Sequence, residues 1–494
     1  MNRPNEMKEK GVALILALLL VLATTVIAVS LATVSRTEAF SSMNYRLTSQ
    51  SRDAAEAGVH KTANFLMNSY TKPGGAGNLV ASYGTTTSPV TSNGNPVILS
   101  ASSKVHSNYP ISTDQTSFNS AAQGSVTAGT TTVNYAASAQ LLSMQQVTPY
   151  GSTNPVTIQT WAITSDGSVS GMQNADVEVT STLEQQVTPV FTYAAFADDN
   201  GCSALTFGGG GTTDSYDSSN ITYSGGNVVT QTYDGNVGTN GNLSTAGNPT
   251  TINGNLSTPR TGVGSCTANN VTAWTDSSGH VTGSIVELPQ AVTYPTPVIP
   301  APGSTNEGIN SAITLPPGSY GDITLNGHGV LTLEPNCPAP PAVPSASNCT
   351  AGVYDINSIS ESGANTSIVI APIPGTSPAV YLPVILNIAG VNNSSPVTLT
   401  GNSVQNPSLN PMDFQMLYAG TGTISLKGGS QASGLLYAPN ASFSFGGHGD
   451  WFGAVIGADL TDMGGAAIHY DRRLASTAFM VGPYTLGSFS WKKY

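Results

Sequence analysis

The chain has 494 residues, enough for two or three domains with a sizeable buried core. Only 9% of them are charged while glycine (53) is plentiful, which suits an exported, β-rich protein whose surface is polar but uncharged. Residues 1–70 hold seven Lys/Arg against five Asp/Glu and residues 71–494 hold eight against twenty-two, a balance that argues against nucleic acid, because phosphate neutralisation needs clustered Lys and Arg.

The first element is the uncharged stretch from Gly11 to Ser35, rich in Leu, Val, Ala and Ile. As a helix it spans ~37 Å, enough to cross the ~30 Å hydrocarbon core of a bilayer with some tilt. Arg3, Lys8 and Lys10 precede it, so the leader is expected in the cytoplasm and everything after Arg36 outside. The apolar run is too long for a cleaved secretory signal, and helix-forming sequence continues beyond it. Phe40, Met43, Leu47, Ala54, Gly58 and Phe65 recur at three- and four-residue steps among Arg36, Glu38, Arg46, Arg52, Glu56 and Lys61. This pattern predicts one long helix from about Val12 to about Tyr70, stopped by Lys72-Pro73-Gly74-Gly75.

The basic leader ending in Lys10-Gly11, the run Val12-Ala13-Leu14-Ile15-Leu16-Ala17-Leu18 and the later Arg52-Asp53-Ala54-Ala55-Glu56-Ala57-Gly58 together resemble the PilX-type minor pilins of type IV pilus systems. The resemblance covers roughly residues 8–70. It implies that a prepilin peptidase removes the leader after Gly11, leaving Val12 as the mature N-terminus, and that the helix is first an inner-membrane anchor and later part of a filament core. Most pilins carry a glutamate five residues after the cut; this chain has Leu16, a lack shared by PilX-like and some pseudopilin subunits.

From Thr71 to about Gly124 the chain reads as loops and short strands. Strand signals follow at Thr131-Val133-Tyr135, Val156-Ile158-Trp161-Ile163 and Ala175-Val177-Val179, with a turn expected at Asp166-Gly167. Beyond Phe191 short repeats take over. Gly241-Asn242-Leu243-Ser244-Thr245 returns as Gly254-Asn255-Leu256-Ser257-Thr258, with a looser copy at Gly235-Asn236-Val237. Gly428-Gly429, Gly446-Gly447 and Gly464-Gly465 recur every eighteen residues. Met416-Leu417-Tyr418, Leu435-Leu436-Tyr437 and Ala454-Val455-Ile456 recur every nineteen, as do Ile424/Leu426 and Phe443/Phe445. Repeats of this length with glycine or asparagine corners predict a parallel β-solenoid with equivalent apolar side chains in interior columns. The fragments Leu315–Ile323, Ser433–Ala441, Phe452–Gly457 and Ile468–Asp471 also resemble a C-terminal domain attached to PilX-type and Tad-type pilus proteins, which implies an extracellular solenoid and no activity.

All four cysteines lie on the expected oxidising side. Cys337 and Cys349 suit a local clamp, which would leave Cys202 and Cys266 as the second pair; three pairings are formally open. Zinc ligation lacks a CxxC or a His at ligand spacing. The pairs His448-Gly449-Asp450 and His469-Tyr470-Asp471, about one coil apart, suggest either an acid–base or metal cluster or, more plainly, corner residues bonding exposed backbone. Asp198-Asp199-Asn200-Gly201 reads as a turn before it reads as a calcium loop. No nucleophile-elbow G-x-S-x-G is present, and Arg260 is the one basic residue between Lys104 and Lys427, which disfavours a lyase.

The sequence therefore predicts an α+β portion followed by an all-β one: a leader 1–11, a transmembrane plus amphipathic pilin-like helix 12–70, a β-rich head 71–190, a parallel β-solenoid 191–480 and a tail 481–494. Its expected function is that of a non-enzymatic minor pilin-like subunit, without cofactor, metal or catalytic residues, acting in pilus assembly and at the tip in adhesion. Expected partners are other pilins, pilus assembly proteins, the prepilin peptidase and the inner membrane, with surface glycans or host and abiotic surfaces as candidate ligands. Its expected place is the inner membrane as a single-pass protein, then the pilus or cell surface. The alternatives are a membrane-anchored adhesin that is never assembled and a glycan-active β-helix enzyme.

Overall fold

The computed structural model describes residues 6–494 except 76, 129–130, 153–154, 170–173, 248, 269, 276–278, 340–341, 364, 401–403, 428–431, 448 and 463. The chain divides into two compact units, one of residues 1–147, 155–186 and 481–494, the other of residues 148–154 and 187–480.

In the first unit a 63-residue helix, Glu6–Asn68, extends the expected one at its start and stops two residues short of Tyr70. From Leu47 onward one face is covered, and Ser51, Ala54, Ala55, Gly58, Val59, Ala63 and Leu66 are buried. This face lies on an antiparallel run of strands, Gln123–Ala128, Thr131–Val147, Val156–Val169 and Ala175–Pro189. The small residues of the Arg52–Gly58 motif are there because helix and sheet approach closely. A Cβ on Gly58 would lie 2.2 Å from Ser165 Oγ, and one on Gly167 would lie 1.9 Å from Ser51 O. The expected turn at Asp166-Gly167 is thus corrected: both residues are inside Val156–Val169, paired with Glu178 and Val177, and the glycine serves packing instead of a bend.

Trp161, Phe118, Phe65 and Tyr109 fill the core beneath. Phe118 comes from a helix, Ser112–Ala121, in the segment read as loops and short strands, which also includes the strand Ile98–Ser100. The expected tail 481–494 is instead most of a strand, Phe479–Lys493, beside Ala175–Pro189 in the same sheet.

The second unit is a three-sided parallel coil. One face stacks Leu386, Met416, Leu436, Val455, Ala195, Val237 and Leu256 in register. A second stacks Ile323, Ile359, Val397, Ile424, Phe443, Leu460, Leu205 and Leu243. The third includes Leu331, Ile368 and Val404, and separately Trp451, Ile468, Thr213 and Ile252. All of these side chains are buried. At about 1.5–3 kcal/mol for each large apolar side chain removed from water, the columns supply the main stabilisation of the coil.

The coils do not follow chain order. Residues 195–216 lie in the middle of the stack, paired on one side with 237–252 and on the other with 455–471. The chain first builds outward to Ile285–Glu287. It resumes with Glu307–Ile309, which pairs with Asp322–Leu325, and builds back until Asp450–Asp462 and Ala467–Asp471 close on the starting coil. The intervening segment crosses the coils: Val292 exchanges hydrogen bonds with the Asn240 side chain, Tyr437 donates to Pro295 O at 2.6 Å, and Asn440 donates to Thr296.

Corners are built by Gly-Asn. Asn236 Oδ1 accepts from Asn255 N at 2.8 Å and Asn255 Oδ1 from Ser284 N at 2.8 Å, so each asparagine satisfies the backbone of the next coil. A Cβ on Gly254 would lie 2.7 Å from Asn236 N, which leaves room for glycine alone. The Gly-Asn-Leu repeat therefore marks corners and not successive coils. Val237 stacks on Leu256, nineteen residues away, while Leu243 lies on the neighbouring face. Ile424/Leu426 stack on Phe443/Phe445 at the expected spacing, but Met416 stacks on Leu436, one residue beyond it. Gly428 and Gly429 lie outside the described residues.

Candidate functional site

Two places carry functional potential: the uncovered part of the long helix and the polar groups buried in the coil. Residues 12–46 of the helix are exposed throughout, including Leu14, Leu18, Leu20, Val29 and Leu31 at more than 60%. Val12–Asn68 is long and apolar enough to cross a membrane. So large an apolar surface on a soluble body demands a lipid or protein cover. Gly11 and Val12 both lie within Glu6–Asn68. Polar groups along the exposed run are satisfied locally, with Thr24, Thr25 and Ser30 donating to carbonyls three or four residues back.

Of the two His-x-Asp pairs, His448 lies outside the described residues. His469 is 11% exposed in its side chain, with Nδ1 bonded to Asp214, Nε2 3.8 Å from Asp450 Oδ1, and its ring 4.3 Å from that of Phe452. Burial pulls the imidazolium pKa down, but hydrogen bonds and charge from the two carboxylates outweigh it and raise it to about 9. His469 is therefore held as a cation at neutral pH, paired with carboxylates through both ring nitrogens. It ties the last coil to the first, since Asp214 and His469 are register partners. Asp471 is separate from it: Oδ1 accepts from Ser218 N and Arg473 N, the corner role expected for such residues.

At Asp198–Gly201 the expected turn is not formed: Asp198 N and Asp199 N donate to Gly457 O and Ala458 O of the neighbouring coil, Asp199 Oδ1 accepts from Asn200 N at 2.6 Å, and Asp198 accepts from Asn240 Nδ2 at 2.9 Å. Burial raises the Asp198 carboxyl to about 6. Among the described residues no three His, Cys, Asp or Glu side chains converge as metal ligands. Disulfides join Cys202 to Cys266 and Cys337 to Cys349, across sequence separations of 64 and 12. Sequence reasoning missed Glu361, which is 3% exposed, in register with Leu325 and bonded through Oε2 to Thr400 N at 2.9 Å. Burial raises its carboxyl to about 8. Its parity with Ile359 in Ser358–Glu361 is the signal that points it inward.

Residues 10–60 match the family model described as PilX N-terminal. Residues 388–477, the coils that close the stack, match a domain of unknown function, DUF7305. No curated protein matches the sequence. Among solved structures, the competence-associated pilin ComZ from Thermus thermophilus is similar over 91% of this chain and 98% of its own, at 12% identity and a TM-score of 0.23, too low to equate the folds.

Proposed function

We propose that this chain, whose residues 10–60 match the PilX N-terminal family model, is a minor subunit used in pilus assembly, with its large coiled unit displayed as an adhesive surface at the tip. In this reading it is a membrane-anchored structural protein related to type IV pilus subunits, which the match of residues 10–60 to the PilX N-terminal model supports. The observation that carries the reading is the division of one helix. Residues 12–46 are bare, and as far as Ser35 they are uncharged and largely apolar, suited first to lipid and then to the helices of other pilins, whereas residues from Leu47 onward are fixed to a sheet.

In this reading a prepilin peptidase cuts between Gly11 and Val12, the helix sits in the inner membrane with its C-terminal part outside the cytoplasm, and assembly proteins recruit it. Two features favour rare use. A main filament subunit packs its helices closely and leaves little room for a unit the size of residues 187–480. Leu16 also removes the carboxylate that would register one subunit on the next. Quantitative mass spectrometry of sheared pili is expected to find the chain at a small fraction of the main pilin, with antibody against residues 187–480 labelling filament ends. Labelling along the whole filament would defeat the reading.

A further inference from the structure

The face of the first unit's sheet opposite the long helix carries a cleft of about 530 Å³, within the range of small-molecule sites. Strand register builds its floor. Ser125, Asn134, Ser168 and Asp176 form one row across four strands, and Gln123, Ala136 and Asp166 form the next. Val133, Val169, Ala175 and Val177, of the opposite parity, are buried toward the helix. Lys104 walls the cleft from a loop, its Nζ 3.1 Å from Asp166 Oδ1 and 3.4 Å from Asp176 Oδ2. The Tyr494 ring lies beside it, 5.7 Å from Nζ.

The balance of groups restricts what can bind. The one ammonium is shared between two carboxylates, so an anion would find no free positive charge. That same ammonium occupies the place between the carboxylates that a metal ion or a second cation would need. What is left over is acceptor capacity: Asp176 Oδ1 is buried without a hydrogen-bond partner, and serine and amide oxygens line the floor. A ligand that answers this is uncharged, compact and rich in hydroxyl donors, with an apolar face for a tyrosine ring.

We propose that this cleft binds a neutral sugar ring, with Asp166 and Asp176 accepting from its hydroxyls, Lys104 bridging the two carboxylates and Tyr494 covering one face. The cleft lies wholly within the first unit, so the proposal stands or falls separately from incorporation into a pilus and from any adhesion by the coils.

The test uses the full chain in lipid nanodiscs and saturation-transfer NMR with four probes: methyl α-glucoside, methyl β-galactoside, methyl α-mannoside and N-acetylglucosamine. At least one is expected to receive saturation on its ring protons at millimolar concentration. Asp176→Ala should weaken it about tenfold, the loss expected of a hydrogen bond to a charged group. Asn134→Trp, at an exposed floor position that leaves both ion pairs intact, should abolish binding with an unchanged melting temperature. No transfer to any probe, transfer that survives Asn134→Trp, or displacement of the sugar by calcium or methylammonium would each overturn the proposal.

Discussion

The two units solve the same problem, covering a sheet, by opposite means. In the first, strands adjacent in sequence pair as antiparallel neighbours and a single helix covers one face. In the second, each coil covers the next, and closure joins residues from opposite ends of the unit: His469 and Asp214 are 255 positions apart. The strand pairing of the first unit is thus chiefly local, apart from its last strand, while the helix reaches the sheet from more than 100 residues away, as Gly58 does Ser165. The second depends on a central coil that cannot be sandwiched until the chain has built away from it, crossed the stack and returned. Such long-range pairing is slow to form, because loop closure must precede the contacts that reward it. The teaching is that the coil's weak point is its seam, whereas the first unit's is the contact between helix and sheet.

The largest expected effect comes from charging an interior column. Leu436→Asp places a carboxylate between Met416 and Val455, at a cost of several kcal/mol, and should make residues 187–480 protease-sensitive. Ser444→Asp, beside Ser425 and Thr461 on the outer parity, is the tolerated control. Ser442 is unsuitable, since it already bonds Asp459 and a second carboxylate there would repel it. Equal sensitivity of both variants would break the assigned register.

The seam can be probed by pH. Because the folded-state pKa of His469 is raised to about 9, its contribution is fully present below its ordinary value of 6.5 and is lost as pH rises through 9. It should amount to roughly 3 kcal/mol. The melting temperature of wild type should therefore fall more between pH 6.5 and 10 than that of His469→Gln. Parallel curves would show that the imidazolium does not hold the seam.

A comparable effect is expected at Glu361, where stability again falls as pH rises but the substitution stabilises. Its carboxyl, raised from 4.5 to about 8, is protonated when folded and ionised when unfolded across that interval, so stability is lost as pH rises between the two values. Glu361→Gln should be neutral near pH 4 and stabilising by roughly 3 kcal/mol at pH 7, as measured by denaturant midpoints. Destabilisation at pH 7 would mean that the carboxylate is needed in its charged form.

How much of this was legible follows from the same contrast. The helix and the three long strands were readable because apolar periodicity is local. Gly167 misled, because glycine at a close helix–sheet approach looks the same in sequence as glycine in a turn. In the coil, regular repeats were visible where coils are short, as from Leu435 to Ala454, nineteen apart. They were hidden where loops interrupt, as from Ala195 to Val237, forty-two apart. The order of the coils was not legible at all, since a register repeat does not say which copy is stacked on which. His469 was noticed, but its partner Asp214 comes from the distant first coil, which no local spacing reveals. The cleft at Asp166 and Asp176 was missed because its side chains gather from separate strands and a loop.

The measurement that bears most directly on the account is the N-terminal sequence of the protein extracted from cell envelopes. An apolar helix bare over residues 12–46 and preceded by a basic leader predicts that the mature chain begins Val12-Ala13-Leu14, with Gly11 removed. A chain that begins at Met1, or one cut beyond Ser35 so that the bare helix is lost, would contradict it.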